Sequence, residues 1–248
     1  FVKYHPDRPW GWFKPADATD YRLSLSRRSG VPIAFEPVAM DRVMRDMLEE
    51  VNCDVCFNTR FSDVKVENDR IMTIMTASES GTKYITADVF IDATADIYVA
   101  RASGCASAIG MEARSVYDEP SAPEASEYVL NNASLCYRIT PLKEGESPQV
   151  QSKPDDVDIG LIRPVTSIRT YPNGDLNMNP LHIMTGIEAN DLGEKAYEEA
   201  KKRILAHWHI LQTQYDFNRW RLVWISPMLG VRETHRLVGQ YVLKEQDV

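Results

Sequence analysis

Apolar side chains return every three or four positions at Met40, Val43, Met44, Met47, Leu48 and Val51, while Asp41, Arg42, Arg45, Asp46, Glu49 and Glu50 fill the gaps. That period predicts an amphipathic helix from about Glu36. Pro37 falls in its first turn, where a missing N–H costs nothing, and the methionines are expected to fill a core. Short apolar segments follow at Val55 to Thr59, Asp63 to Val66, Arg70 to Ala77 and Lys83 to Thr86, separated by Glu67-Asn68-Asp69 and Glu79-Ser80-Gly81. Turn residues at those breaks predict a strand and then a β-meander. The meander runs into Val89-Phe90-Ile91-Asp92-Ala93-Thr94-Ala95-Asp96. An unbroken apolar run closing on Asp-Ala-Thr reads as a buried strand that empties into a ligand-facing turn.

The remaining pattern is weaker at both ends. Residues 1–34 carry Trp10, Trp12 and Phe13 among Pro6, Pro9 and Pro15 without a period, which predicts irregular structure pinned by aromatic side chains. Strand character returns at Tyr128 to Ile139 and Ile159 to Thr170, where Pro172-Asn173-Gly174-Asp175 should turn the chain back into Leu176 to Met178. A long helix is expected after a cap at Asn190 or Asp191, its stripe formed by Leu192, Ala196, Ala200, Ile204, Leu205, Trp208 and Leu211. Trp220 to Ile225 is apolar again.

Composition narrows the function more than the fold. With 248 residues and 44% hydrophobic side chains, the chain has material for one large domain or two modest ones. A net charge of −8 argues against nucleic acid or an anionic membrane surface and for a small-molecule substrate. No apolar run approaches the ~18 residues of a membrane span. Compartment and self-association stay open, a homo-oligomer included. Cys53 and Cys56 have metal spacing without a second pair, and on a strand they would face opposite ways. They are expected to be buried small hydrophobes, and none of the five histidines pairs at i,i+4, so no metal site is expected.

The hydrolytic and zinc signatures Gly-x-Ser-x-Gly and His-Glu-x-x-His are absent, as is the phosphate loop Gly-x-Gly-x-x-Gly, although 12 glycines occur. The chain therefore carries no dinucleotide cradle of its own. Three other blocks stand out. Asp92-Ala93-Thr94-Ala95-Asp96 resembles the "DATGD" strand of FAD-dependent oxidoreductases of the two-dinucleotide-binding-domain flavoprotein group, with Ala95 at the glycine. Glu112-Ala113-Arg114-Ser115-Val116-Tyr117-Asp118-Glu119-Pro120 resembles "E-A-R-S-x-Y-G-E-P", with Asp118 at the glycine. Gly230-Val231-Arg232-Glu233-Thr234-His235-Arg236-Leu237-Val238-Gly239-Gln240-Tyr241-Val242-Leu243 resembles the "G-(I/V)-R-E-x-R-R-I-x-G-x-Y-x-L" block of a bacterial FAD-dependent oxidoreductase family.

The resemblance implies a mixed α/β fold with a partial FAD-binding Rossmann-like domain, its β-meander, and a mixed substrate domain. Its divisions would be an aromatic connecting segment over 1–34, a partial FAD-binding domain over 35–110, a substrate domain over 111–228 and a return strand over 229–248. It also implies that a Gly-rich unit precedes this stretch and an FAD-contacting segment follows it. The chain is then expected to be the interior of a longer flavoprotein, binding FAD weakly or not at all by itself. Asp92, Ala93, Thr94, Ala95 and Asp96 would lie beside FAD, and the plainer reading of them is a strand-end turn bonded to backbone amides.

A guanidinium stabilises charge on a reduced flavin or holds an acidic substrate, which makes Arg232 and Arg236 candidates, with Glu233 orienting one of them. A salt-bridge network between domains is the plainer reading. His235 and His182 are candidate proton carriers because imidazole titrates near neutrality. The implied reaction is hydride transfer from a small molecule to flavin. Two rivals remain: a non-catalytic binding module with Trp10, Trp12, Phe13, Trp220 and Trp224 as an aromatic platform, and a degenerate flavoprotein, favoured by the bulk of Ala95 and Asp118.

Overall fold

The structure is a computed structural model that describes residues 35–247 and, by backbone path alone, residues 4–5 and 8–12. The aromatic segment expected over 1–34 otherwise lies outside the described residues. In chain order the elements are β1 (Tyr4–His5), β2 (Arg8–Trp12), α1 (Pro37–Glu50), β3 (Arg60–Glu67), β4 (Arg70–Ser78), β5 (Gly81–Ile85), α2 (Tyr98–Ala102), β6 (Ser107–Ile109) and α3 (Arg114–Tyr117). They continue as β7 (Tyr137–Pro141), β8 (Thr166–Thr170), β9 (Leu176–Pro180), α4 (Gly186–Leu192), α5 (Ala196–Gln214), β10 (Trp220–Ile225) and β11 (His235–Leu237). This is the expected mixed α/β class, with several antiparallel sheets. Two compact units divide it: Phe1–Asp41 with Asn131–Val231, and Arg42–Leu130 with Arg232–Val248.

The first unit is built on a six-stranded sheet in the order β1-β2-β8-β9-β7-β10, antiparallel except where β2 runs parallel to β8. Strict alternation explains it. Tyr137, Ile139, Ile168, Leu176 and Met178 point into one core, where Ile204, Trp208 and Leu211 of α5 meet them. Arg138, Thr140, Ser167, Arg169, Asn177 and Asn179 occupy the opposite face, as the period of two demands. The β8–β9 hairpin closes where Gly174 donates its N–H to the Tyr171 carbonyl at 2.9 Å. Gly174 has φ 88, a left-handed conformation that glycine adopts without steric cost.

The expected long helix is present, but its entry differs. Thr185, not Asn190 or Asp191, caps α4 by accepting from the Glu188 N–H at 3.1 Å, and a 3₁₀ turn over Gly193–Lys195 leads into α5. The Asx residues lie inside α4, where a capping hydroxyl already serves the first free amides.

Strand β10 carries a bulge. Leu222 pairs with Ile139 and Trp224 with Arg138, so Val223 has no direct partner on β7. Simple alternation would have put Trp220, Leu222 and Trp224 on one face. The extra residue instead leaves Trp220 on the core face against Phe217 and turns Trp224 to the polar face. Trp220 and Trp224 therefore do not form one aromatic platform.

The second unit contains the β3-β4-β5 meander predicted from turn chemistry. Asn68 (φ 51) and Asp69 (φ 59) are both left-handed, the geometry of a two-residue hairpin turn whose twist matches its strands. A second antiparallel pair joins β6 to β11.

Four expectations fail here. Val55 to Thr59 is not a strand but a turn region with Asn58 at φ 50, and Cys53 and Cys56 are exposed rather than buried. Helix α1 forms as predicted, yet its stripe is not core: Met47 is 61% exposed. Val89 to Thr94 is neither strand nor buried, with Ile91 88% exposed. A strand is defined by its ladder, and no described strand pairs with this run.

Candidate active site

The Asp92–Asp96 segment is a turn whose polar side chains are largely spent on holding it. Asp92 Oδ1 accepts from the Thr94 N–H at 3.0 Å and from the Thr94 hydroxyl at 2.6 Å, while Oδ2 accepts from the Ala100 N–H at 3.0 Å. Partial burial pushes the Asp92 carboxyl up, but these bonds from Thr94 and Ala100 and one from Val99 outweigh it and hold it below its ordinary value. The Thr94 hydroxyl also accepts from the Tyr98 N–H at 2.9 Å and so starts α2. Ile97 sits at φ 48, ψ 46, a left-handed conformation that a β-branched residue rarely adopts.

Asp96 reaches outward from this turn. It accepts from the Tyr98 hydroxyl at 2.9 Å and from the hydroxyl of buried Thr234, 138 positions away in sequence. The hydrogen bond to Asp96 is the first cause of the raised Tyr98 phenol pKa.

The neighbours of Thr234 include the other sequence-predicted residues. His235, Arg236 and Leu237 pair with Ile109, Ala108 and Ser107. His235 Nδ1 lies 3.4 Å from the Ser107 hydroxyl. Arg236 donates to the Gly110 carbonyl and to Glu112 Oε1 at 2.8 Å, and stands 3.7 Å from Glu233. Arg232 precedes β11 in irregular backbone, exposed, with no hydrogen-bond or ion-pair partner among the described residues. The two arginines thus do different things: Arg236 clamps its unit, and Arg232 presents its charge.

All three sequence blocks meet in this second unit through Asp96–Thr234 and Arg236–Glu112. The other candidate histidine does not join them. His182 belongs to the first unit, in a cleft of about 350 Å³, with Nδ1 2.6 Å from Asn132 Nδ2.

Two polar clusters escaped the sequence reading. His207 is fully buried, its Nδ1 2.9 Å from the Tyr137 hydroxyl and its Nε2 2.9 Å from the Thr166 hydroxyl. Burial pulls its imidazole down to about 4. Arg138 donates to Asp175 at 2.6 Å and by two bonds to Glu36 at 2.7 and 2.9 Å, with its guanidinium 3.9 Å from the Tyr171 ring centre. Polar residues at alternate strand positions were the available signal for Arg138, but nothing in the sequence paired it with Glu36.

The sequence profile of FAD dependent oxidoreductases matches residues 13–248. This chain belongs to that family. No curated protein matches it. Among solved structures, BexE, studied for oxidation during BE-7585A biosynthesis, is similar at TM-score 0.41 and 13% identity, covering 81% of this chain and 34% of its own. The myxobacterial chondrochloren halogenase CndH, a variant of FAD-dependent halogenases, is similar at TM-score 0.36 and 12% identity, covering 78% and 41%. A triple mutant of the flavin-dependent brominase Bmp2 is similar at TM-score 0.37 and 11% identity, covering 79% and 47%. The chain spans between about a third and a half of the length of these proteins.

FAD is the cofactor of this oxidoreductase family, and the Asp92–Asp96 turn has features that suit it. Ala93 and Ala95 are exposed, and their N–H groups make no hydrogen bond among the described residues. Small side chains let such donors approach a ligand. Ala95 also has no positive φ, so glycine is not required there for conformation. Asp118 does occupy a glycine-like position, at φ 58 after α3.

Proposed function

We propose that the protein containing this chain oxidises a small organic molecule, with FAD as the hydride acceptor. Support comes from membership of the family together with one observation: the Asp96–Thr234 hydrogen bond joins the turn of free Ala93 and Ala95 amides to the block bearing Arg232 and His235. When bound, FAD supplies the two-electron acceptor. Ala93 and Ala95 N–H groups would hold it, with Asp92, Thr94 and Asp96 shaping the turn rather than touching the ring.

In this reading Arg232 binds an anionic group, because an exposed guanidinium offers a planar fork of donors. His235 is the proton carrier of this reading, its Nδ1 standing 3.4 Å from the Ser107 hydroxyl. Arg236 and Glu233 position that block through Glu112 and Gly110. The test is to purify the gene product and record its visible spectrum with and without added FAD. Flavin absorption that Arg232→Ala retains, with substrate oxidation impaired, supports the reading; a colourless protein that takes up no FAD overturns it.

A further inference from the structure

The polar face of the first unit's sheet contains a cleft of about 410 Å³. Its charges are unevenly used. Arg138 is already paired: Asp175 accepts from its Nε and Glu36 from both terminal nitrogens, and its guanidinium lies over Tyr171. The hydrogen bond to Glu36 is the first cause of its raised pKa, so this cation stays charged and committed. Arg221, opposite Thr140 on edge strand β10, is exposed, and its side chain has no hydrogen-bond or ion-pair partner among the described residues. Glu36 and Asp175 together outweigh Arg138 by one negative charge, and Arg221 brings the cleft to neutrality. Because both carboxylates are bonded to Arg138, Arg221 is the cation that a ligand can use.

The bulge at Val223 decides what lies beside that cation. Alternation from Trp220 would have sent Trp224 into the core; the extra residue places it opposite Arg138 on the cleft face. Arg221, Val223 and Trp224 therefore line one wall, with Pro37 and Val38 contributing apolar surface. A guanidinium fork next to an indole offers two-point binding of a carboxylate and a flat surface for a ring. The volume suits a ligand of one or two rings.

We propose that this cleft binds a small planar organic carboxylate, its carboxylate on Arg221 and its ring against Trp224. As a binding site this stands on the first unit alone; identifying the ligand with the oxidised substrate rests on the flavin reading.

The test uses benzoate as probe, with cyclohexanecarboxylate and benzyl alcohol as the non-planar and uncharged controls, titrated into the purified protein without added FAD. Calorimetry measures binding and tryptophan fluorescence reports the indole. Benzoate should bind at least about tenfold more tightly than either control. Arg221→Ala should lose at least about tenfold, Arg221→Lys should lose less, and Trp224→Ala should weaken benzoate while Trp224→Phe retains it. Circular dichroism establishes that each variant is folded, and Arg221→Gln serves if Arg221→Ala is not. Benzoate affinity that is equal in Arg221→Ala and wild type, or no preference for benzoate over both controls, overturns the site. A protein that binds benzoate but no FAD would leave the site standing and remove its link to oxidation.

Discussion

His207 makes acid destabilisation of the first unit a quantitative expectation. The Thr166 hydroxyl donates to the Pro164 carbonyl at 2.9 Å, so toward His207 it accepts. His207 therefore carries its proton on Nε2, and Nδ1 accepts from the Tyr137 hydroxyl. A second proton on Nδ1 would face that hydroxyl and place a charge in a site where His207, Tyr137 and Thr166 are all 0% exposed. Burial lowers the imidazole from 6.5 to about 4. Its folded pKa is depressed, so the unfolded chain binds the proton first: stability is full above about 6.5 and falls as pH drops towards 4, below which this group contributes no further change. Between about pH 7.5 and pH 5 the loss is about 2 kcal/mol.

The assay is urea unfolding followed by tryptophan fluorescence, since all five tryptophans lie in the first unit. His207→Gln keeps an amide donor but cannot titrate. Its stability should be lower at neutral pH yet vary about 2 kcal/mol less across that interval. Equal pH dependence in wild type and variant would refute the buried-neutral argument.

Four further expectations follow from the geometry. A Cβ on Gly110, at φ +87, would meet the Glu127 carbonyl at 2.4 Å, so Gly110→Ala should cost more than about 2 kcal/mol and raise hydrogen exchange across β6 and β11. Ile97→Gly removes a left-handed β-branched residue and should stabilise the second unit by about 1 kcal/mol, read from exchange at Tyr98 to Ala102. Thr234→Val leaves Asp96 without one donor and should speed amide exchange over residues 93–100 by about tenfold, with rescue by Thr234→Ser and no change in β3 to β5. Asp175→Asn breaks a pair whose side chains are only 14% and 11% exposed and should cost about 3 kcal/mol in urea unfolding.

What the sequence determined by itself was mostly local. The period of α1, the Asn68-Asp69 and Pro172-Asn173-Gly174 turns, and the alternation of β7, β8 and β9 all follow from residues within a few positions of one another. The family was legible too, because the three blocks carry it as short runs. Burial was not. Apolar residues at Met47 and Ile91 predict a surface that wants cover, but covering it takes a partner element, and a one-dimensional pattern does not say which. The Val223 bulge likewise inverts the face of Trp224 through a register set by β7, not by β10. Site residues show the same divide: Arg232 and Arg236 look equivalent in sequence, and only the approach of Glu112, from 124 positions away, makes one a clamp and leaves the other exposed. Tertiary structure decides such roles because a charge is defined by what neutralises it, and those partners are distant along the chain.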